Sequence, residues 1–453
     1  MVLASDKLTA IIGLGLTGLA CARYLKQQNR PFVAFDAKVS EQTRAVFNSE
    51  FANHALVEGD LNEQDFSRFS TIVLSPGVPL STPSIAEAKA QGCQFENDIT
   101  LFMSYNKSQV KPAKIAAVTG SNGKSTVVAW LQDILQKVGL NAHYAGNIGV
   151  SPLQLLELDE YPEVVVLELS SFQLEIIERL DADVAAMLNL SPDHLDRYDS
   201  MMAYHSAKQR VYRGASTCVC NRDEPLTQAL VASGTQVVSF GSNMPDLKQW
   251  GIVEQGSAIG FGPQTILDKD RLPLIGKHNV LNAQAVIAMA CALGLERDEA
   301  LINALCSFEG LPHRCQKVAT NGGVTFVDDS KATNTGACIA AVKGLPENAS
   351  VVLLAGGIAK GADLSELKQI LPRIKAAVVF GESAQVLAKV FETKPVESVD
   401  SMIDAVSAAS SLSEEGDIVL LSPACASFDM FKSYADRGEQ FQQAVKQSIQ
   451  EAL

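Results

Sequence analysis

Between the apolar run Ile115-Ala116-Ala117-Val118 and a stretch of helical periodicity from Lys124 to about Val138 lies Thr119-Gly120-Ser121-Asn122-Gly123-Lys124-Ser125-Thr126. A strand, a glycine-rich turn and a helix in that order make a phosphate loop. Gly120 and Gly123 let the backbone fold so that its N–H groups, those of Ser121 and Asn122 included, face phosphate oxygens. Lys124 supplies a positive charge, and the hydroxyl of Ser125 or Thr126 reaches a magnesium ion. Where the general pattern has its first glycine this chain has Val118, so the loop is a shortened variant. Downstream, the apolar run Val164-Val165-Val166-Leu167 ends in Glu168. A carboxylate at the end of a strand beside a phosphate loop is placed to hold magnesium. The segment Ser191-Pro192-Asp193-His194-Leu195-Asp196-Arg197-Tyr198 follows another strand and supplies His and Asp in a polar loop. For His194 on its own a structural hydrogen bond is the ordinary role.

Two further regions carry polar groups at strand ends. Gly13-Leu14-Gly15-Leu16-Thr17-Gly18 lies between a strand and a helix, with Asp36 closing the next strand. A diphosphate fits at such a helix N-terminus, although a tight turn in a doubly wound sheet explains the glycines equally well. Near the C-terminus, Asp328-Asp329-Ser330-Lys331-Ala332-Thr333-Asn334, Gly356-Gly357-Ile358-Ala359-Lys360-Gly361 and Ser422-Pro423-Ala424-Cys425-Ala426-Ser427-Phe428 also follow strands. With His313 and Arg314 they suit a small dicarboxylate and a nucleotide phosphate.

The elements that position these residues alternate strand and helix along 453 residues, a length beyond one growing core. The fold class is α/β, and three domains are expected: 1–106, 107–311 and 312–453. The polar stretch Tyr105 to Pro112 and the segment Gly310-Leu311-Pro312-His313-Arg314-Cys315 mark the boundaries. A Gly-punctuated region from about 250 to 275 suggests a hairpin. The net charge of −14 and the lack of a basic run argue against a nucleic-acid partner. Nine cysteines without paired spacing read as small buried hydrophobes of a reducing compartment. No signal peptide or transmembrane helix is apparent, so a cytoplasmic protein without a membrane partner is expected.

With GLGLTG, TGSNGKST, AGNIG, ELSSFQLE, SPDHLDRY, KHNVLNAQA, LPHRC, DDSKATN, GGIAKGAD and SPACASFD in this order, the whole chain resembles the Mur ligases of peptidoglycan synthesis, most closely their D-glutamate-adding branch. The resemblance implies a Rossmann-like N-terminal domain, a central phosphate-loop ATPase domain with a mixed sheet, and a Rossmann-like C-terminal domain. It implies an ATP- and magnesium-dependent ligase that joins D-glutamate to UDP-N-acetylmuramoyl-L-alanine through an acyl phosphate, and a monomer. In that picture Gly15, Leu16, Thr17, Asp36, Lys38, Gly77, Asn147 and His194 meet the UDP substrate. ATP meets Gly120, Ser121, Asn122, Gly123, Lys124, Ser125 and Thr126, and also Asn279, Asn282, Arg314 and Asp329. Ser125 and Glu168 hold one magnesium; His194 and a carbamylated Lys208 hold a second. Lys124, His194 and Lys208 are the catalytic set. Lys331, Thr333, Lys360, Ser427 and Tyr434 receive D-glutamate. Two positions depart from the family pattern: Lys38 keeps a charge without the planar fork of Arg, and Tyr434 stands where Phe is common.

Other readings remain at this level: a sister ligase adding another amino acid, a folylpolyglutamate synthase, or a nucleotide-switched binding protein. A dehydrogenase suggested by the N-terminal glycines leaves the phosphate loop unexplained.

Overall fold

The computed structural model describes residues 8–194, 197–274, 276–346 and 349–451; Leu195 and Asp196 of the polar loop therefore lie outside the described residues. The chain divides into two compact units, Met1–Ile266 with Gln284–Leu305, and Leu267–Ala283 with Cys306–Leu453.

The first unit contains two parallel sheets and most of a small antiparallel one. Strands β1 (Thr9–Ile12), β2 (Phe32–Asp36), β3 (Ala55–Glu58), β4 (Thr71–Leu74) and β5 (Gln94–Glu96) pair in the order β3-β2-β1-β4-β5. All four pairings are parallel. Chain order reverses at β1, so the loop that follows it opens at the switch point where such sheets take ligands.

Strands β6 (Lys114–Thr119), β7 (Ala142–Gly146), β8 (Val164–Glu168), β9 (Val184–Met187), β10 (Thr217–Asn221) and β11 (Gln236–Phe240) form the second sheet, ordered β11-β10-β9-β6-β8-β7. Every pairing is parallel, which corrects the expected mixed sheet. β8 and β9 are buried along their whole length and β6 from Ile115 onward, as their unbroken apolar sequences require of strands covered on both faces. The antiparallel strands of this region stand apart as β12 (Trp250–Val253), β13 (Ala258–Phe261) and β14 (Gln264–Asp268), a three-stranded sheet where the sequence suggested a hairpin. The third strand had no strong apolar alternation to announce it: Gln264, Thr265 and Asp268 are exposed and only Leu267 is buried.

The second unit carries β15 (Gln316–Asn321), β16 (Val324–Asp328), β17 (Val351–Gly356), β18 (Ile374–Phe380), β19 (Val396–Val399) and β20 (Ile418–Ala424), ordered β15-β16-β20-β17-β18-β19. Only the edge strand β15 runs antiparallel. β16, β20 and β17 are neighbours, so three loops far apart in sequence open side by side.

Candidate functional site

The helix Lys124–Lys137 starts after Gly123, whose φ of 81° places it in the left-handed region that glycine adopts most readily. It buries Val127, Val128, Trp130, Leu131, Ile134 and Leu135, a helical stripe, and the Trp130 indole donates to Leu305 O at 3.0 Å. No side chain caps its N-terminus and no acid sits in its first turn. The helix Leu16–Gln27 likewise begins after a glycine, Gly15, with neither cap nor acid. By contrast Asn97 and Ser200 cap the helices Asp98–Ser108 and Met201–Gln209. Both uncapped ends present backbone N–H groups to an anion.

Several neighbours hold the phosphate loop. Asn189 accepts from Asn122 N at 2.8 Å and donates to Asn122 O at 3.0 Å. The Ser121 hydroxyl pairs with Tyr204 OH at 3.1 Å and with the Ser191 backbone. Lys124 Nζ donates to Gly120 O at 2.8 Å and Ser121 O at 2.9 Å, while Ser125 and Thr126 are buried in the first turn. Lys208 comes from the helix Met201–Gln209 and is 2% exposed; its Nζ donates to Gly120 O at 2.8 Å. Burial first, and the charge of Lys124 second, hold its ammonium well below the ordinary range.

Glu168 ends β8, directly beside the phosphate-loop strand through the pair Val118↔Glu168. It is 2% exposed; Oε1 accepts from Asn147 Nδ2 at 2.8 Å, and Oε2 has no hydrogen-bond partner. A buried carboxylate oxygen without a donor suits a cation. Asn147 is held in turn, its N donating to Glu168 O at 2.8 Å. Among the described residues no three His, Cys, Asp or Glu side chains converge as a metal-binding group. Magnesium here would therefore draw on Glu168, the Ser125 hydroxyl and ligands brought by the substrates. His194, in a left-handed turn at φ 56°, packs against the Phe172 ring with centroids 4.7 Å apart and lies 3.6 Å from the Asp193 carboxylate.

At the N-terminal loop, Asp36 accepts from Leu14 N at 2.7 Å and from Lys38 N at 2.9 Å, so its carboxylate also braces the glycine turn. Gly15 and Leu16 are exposed and Thr17 half-buried at the uncapped helix end. Ser75 Oγ donates to Gly13 O at 2.7 Å, tying the loop that contains Gly77 to the glycine loop. Arg197, stacked 4.0 Å over Phe172, donates to Pro76 O at 2.7 Å and pairs with Glu175 at 3.0 Å, linking the Gly77 loop to the second sheet's polar loop.

In the second unit, Asn282 donates to Asn279 at 3.0 Å on the helix Lys277–Ala292. Asp329 accepts from Ser422 Oγ at 2.8 Å and Cys315 N at 3.2 Å, and burial pushes its carboxyl up to about 7. Arg314, next to Cys315, is half-buried. His313 Nδ1 lies 2.7 Å from the buried Asp328 carboxylate. Lys331 Nζ sits 3.9 Å from the centroid of the Tyr434 ring, a cation–π contact, and Lys360 Nζ lies 5.8 Å from that of Phe428. Thr333 is half-buried, and Ser427 is 1% exposed with its Oγ lacking a partner. Two amines and two hydroxyls, one of them buried and unsatisfied, are groups of the kind that pair with carboxylates.

The sequence reading gave no individual role to Asn189, Tyr204, Arg197 or Arg437. Arg437 alone left a signal. It falls in register with Phe441 and Val445 on the buried stripe of the helix Tyr434–Glu451, where a charged residue is out of place.

Comparison with known proteins finds three family matches in succession along the chain. Residues 7–96 match the Mur ligase MurD-like N-terminal domain, 118–290 the Mur ligase middle domain and 313–425 the Mur ligase glutamate ligase domain. The UDP-N-acetylmuramoylalanine--D-glutamate ligase of Nitrosococcus oceani is 41% identical over 97% of this chain and 97% of its own. The protein of the same name from Hahella chejuensis is 42% identical over 98% and 99%. Among solved structures, the MurF ligase of Thermotoga maritima in complex with ADP superposes with a TM-score of 0.63 at 18% identity, covering 99% of this chain and 100% of that one. The UDP-N-acetylmuramate-alanine ligase MurC of the same organism gives 0.60 at 20% identity over 98% and 99%.

Proposed function

This chain belongs to the Mur ligase family, and from that premise we propose that it joins D-glutamate to UDP-N-acetylmuramoyl-L-alanine, driven by cleavage of ATP to ADP and phosphate, in the synthesis of peptidoglycan precursors. The observation that carries the chemistry is an uncapped helix end bearing Lys124, flanked by a buried carboxylate, Glu168, with one unpaired oxygen.

In the first step an oxygen of the L-alanyl carboxylate attacks the γ-phosphorus of ATP. The bond to the bridging oxygen breaks, and ADP leaves behind an acyl phosphate. Lys124 and the N–H groups of residues 120–126 hold the charge that spreads over the transferring phosphoryl group. In the second step the D-glutamate amine attacks the acyl carbon, loses a proton, and phosphate departs. Positioning supplies much of the rate. Lys331, Thr333, Lys360 and Ser427 receive the two carboxylates, with the Tyr434 ring against Lys331. Asn279, Asn282, Arg314 and Asp329 serve the nucleotide, and Gly15, Leu16, Thr17, Asp36, Lys38, Gly77, Asn147 and His194 serve the UDP substrate.

Ser125 and Glu168 would hold one magnesium ion and His194 with a modified Lys208 a second; bound there, magnesium would neutralise phosphate charge. The depressed basicity of Lys208 supports that modification. A neutral amine adds to carbon dioxide, forming a C–N bond and releasing a proton, and the resulting carbamate is an anion, opposite in sign to a protonated lysine. We further propose a monomer acting in the cytoplasm. Among the described residues no helix is long and apolar enough to cross a membrane.

The test is phosphate release from ATP and magnesium with UDP-N-acetylmuramoyl-L-alanine, comparing D-glutamate with L-glutamate, L-alanine, L-lysine and meso-diaminopimelate and weighing the product. Turnover with D-glutamate alone is expected. Turnover with another amino acid instead would move the chain to a sister ligase, and release indifferent to the muramoyl acceptor would overturn the ligase reading.

A further inference from the structure

We infer that Arg437 is the positioning residue of the amino-acid site: its guanidinium fork fixes together the three strand ends from which Lys331 and Thr333, Lys360, and Ser427 project. The identity of the amino acid rests on the function proposed above; the geometry does not.

Arg437 is fully buried. Nε donates to Ser330 Oγ at 2.9 Å and Nη2 to Ser330 O at 2.8 Å. Nη1 reaches Cys425 O at 3.1 Å and Gly356 O at 3.3 Å. Ser330 immediately precedes Lys331; Gly356 opens the turn to Lys360; Cys425 stands two residues before Ser427. One side chain therefore gathers the ends of β16, β17 and β20. Ser330 Oγ donates onward to Tyr434 O at 2.7 Å, returning to the helix that carries Arg437 and to the ring that faces Lys331.

The arrangement is a poor solution for stability alone. Arg437 makes no ion pair among the described residues, and its partners are carbonyls and a hydroxyl. Burial depresses its basicity to about 10, the mark of a cation held against desolvation. A well-packed apolar residue would fill the space at less cost but could not bridge three strand ends. Lysine keeps the charge yet lacks the planar fork, so it cannot meet acceptors in these directions at once. The lone pairs of three carbonyls thus fix where the ligand-bearing turns begin, and a shift at any of them carries a cationic or hydroxyl group away from the substrate carboxylates.

The experiment uses the full chain with Arg437→Lys, and with Ser330→Ala as a milder second variant that leaves the guanidinium intact. Relative to wild type, KM for D-glutamate should rise about 30-fold in R437K and about 5-fold in S330A, the scale of lost charge-assisted and neutral hydrogen bonds. KM for UDP-N-acetylmuramoyl-L-alanine should stay unchanged. Amide hydrogen exchange should quicken in 329–334, 356–362 and 424–430, with β17 and β18 still protected. Unchanged exchange in those segments, or an equal rise in both KM values, would overturn the inference. Should R437K fail to fold, S330A decides by the same readouts. A wild type that ignores D-glutamate defeats the proposed reaction, while the exchange data still judge Arg437.

Discussion

The phosphate loop after β6 and the three loops after β16, β17 and β20 both present polar groups at strand ends, yet they are held differently. Around the first, polar groups satisfy one another: Asn189 closes on Asn122, Ser121 meets Tyr204, and Lys124 and Lys208 both bond Gly120 O. Around the second, Arg437 ties the turns together, Ser427 Oγ is buried without a hydrogen-bond partner, and Lys331 lies over an aromatic ring. A ligand at the first site exchanges existing bonds for new ones. At the second it adds a bond to the Ser427 hydroxyl, a group already in place and unpaired. The first should therefore answer to substitution mainly in rate, where charge develops on a phosphoryl group, and the second mainly in affinity.

Removing the central cation should produce the largest effect. Lys124→Ala is expected to lower kcat by roughly 1000-fold or more, measured as acceptor-dependent phosphate release, because the transferring charge loses its fixed counter-charge. A loss confined to KM would break the comparison. Lys208→Arg comes next, with kcat down roughly 100-fold, since a guanidinium forms no carbamate and leaves a cation where an anion is required. A carbamate carbon signal after labelling with 13C-bicarbonate should be present in wild type and absent in this variant.

In the C-terminal unit the raised Asp329 carboxyl gives a prediction about stability and pH. Its folded value, about 7, exceeds the ordinary carboxylate range, so the folded state keeps a proton that the unfolded chain releases. That contribution is fully present below about pH 4 and is lost as pH rises through 7. Asp329→Asn removes the dependence, so denaturant titrations should show its stability relative to wild type growing by about 2 kcal/mol between pH 5 and 8. A constant difference would mean that Asp329 is not protonated in the fold. A smaller effect than at the phosphate loop is expected from Ser427→Ala: about a 10-fold rise in KM for D-glutamate with kcat nearly unchanged. An equal fall in kcat would show that the hydroxyl acts in the transition state, sharpening the comparison in the other direction.

Much of the fold was legible in local patterns. Apolar runs such as Val164–Leu167 and Val351–Ala355 read as strands covered on both faces and are buried strands in the fold, and the glycine turns before Thr17 and Lys124 mark helix starts without capping side chains. Strands with exposed or mixed residues were missed, β3 and β19 among them, because alternation weakens at sheet edges. The expected mixed central sheet failed for a related reason: the antiparallel strands β12 to β14 are contiguous in sequence with it but pair only with one another.

The sequence by itself determined the chemistry on offer: a lysine at a glycine-started helix, a carboxylate at a strand end, and lysines and hydroxyls on three separate turns. These depend on residue type and on spacing within a dozen residues, which local backbone geometry enforces. Only the tertiary structure decided which groups brace the others. Asn189 against Asn122, Arg197 against Pro76 and Arg437 across three loops join positions 67, 121 and up to 107 residues apart. Such pairings follow from strand order and close packing, which bring distant strand ends together, and no local pattern encodes them.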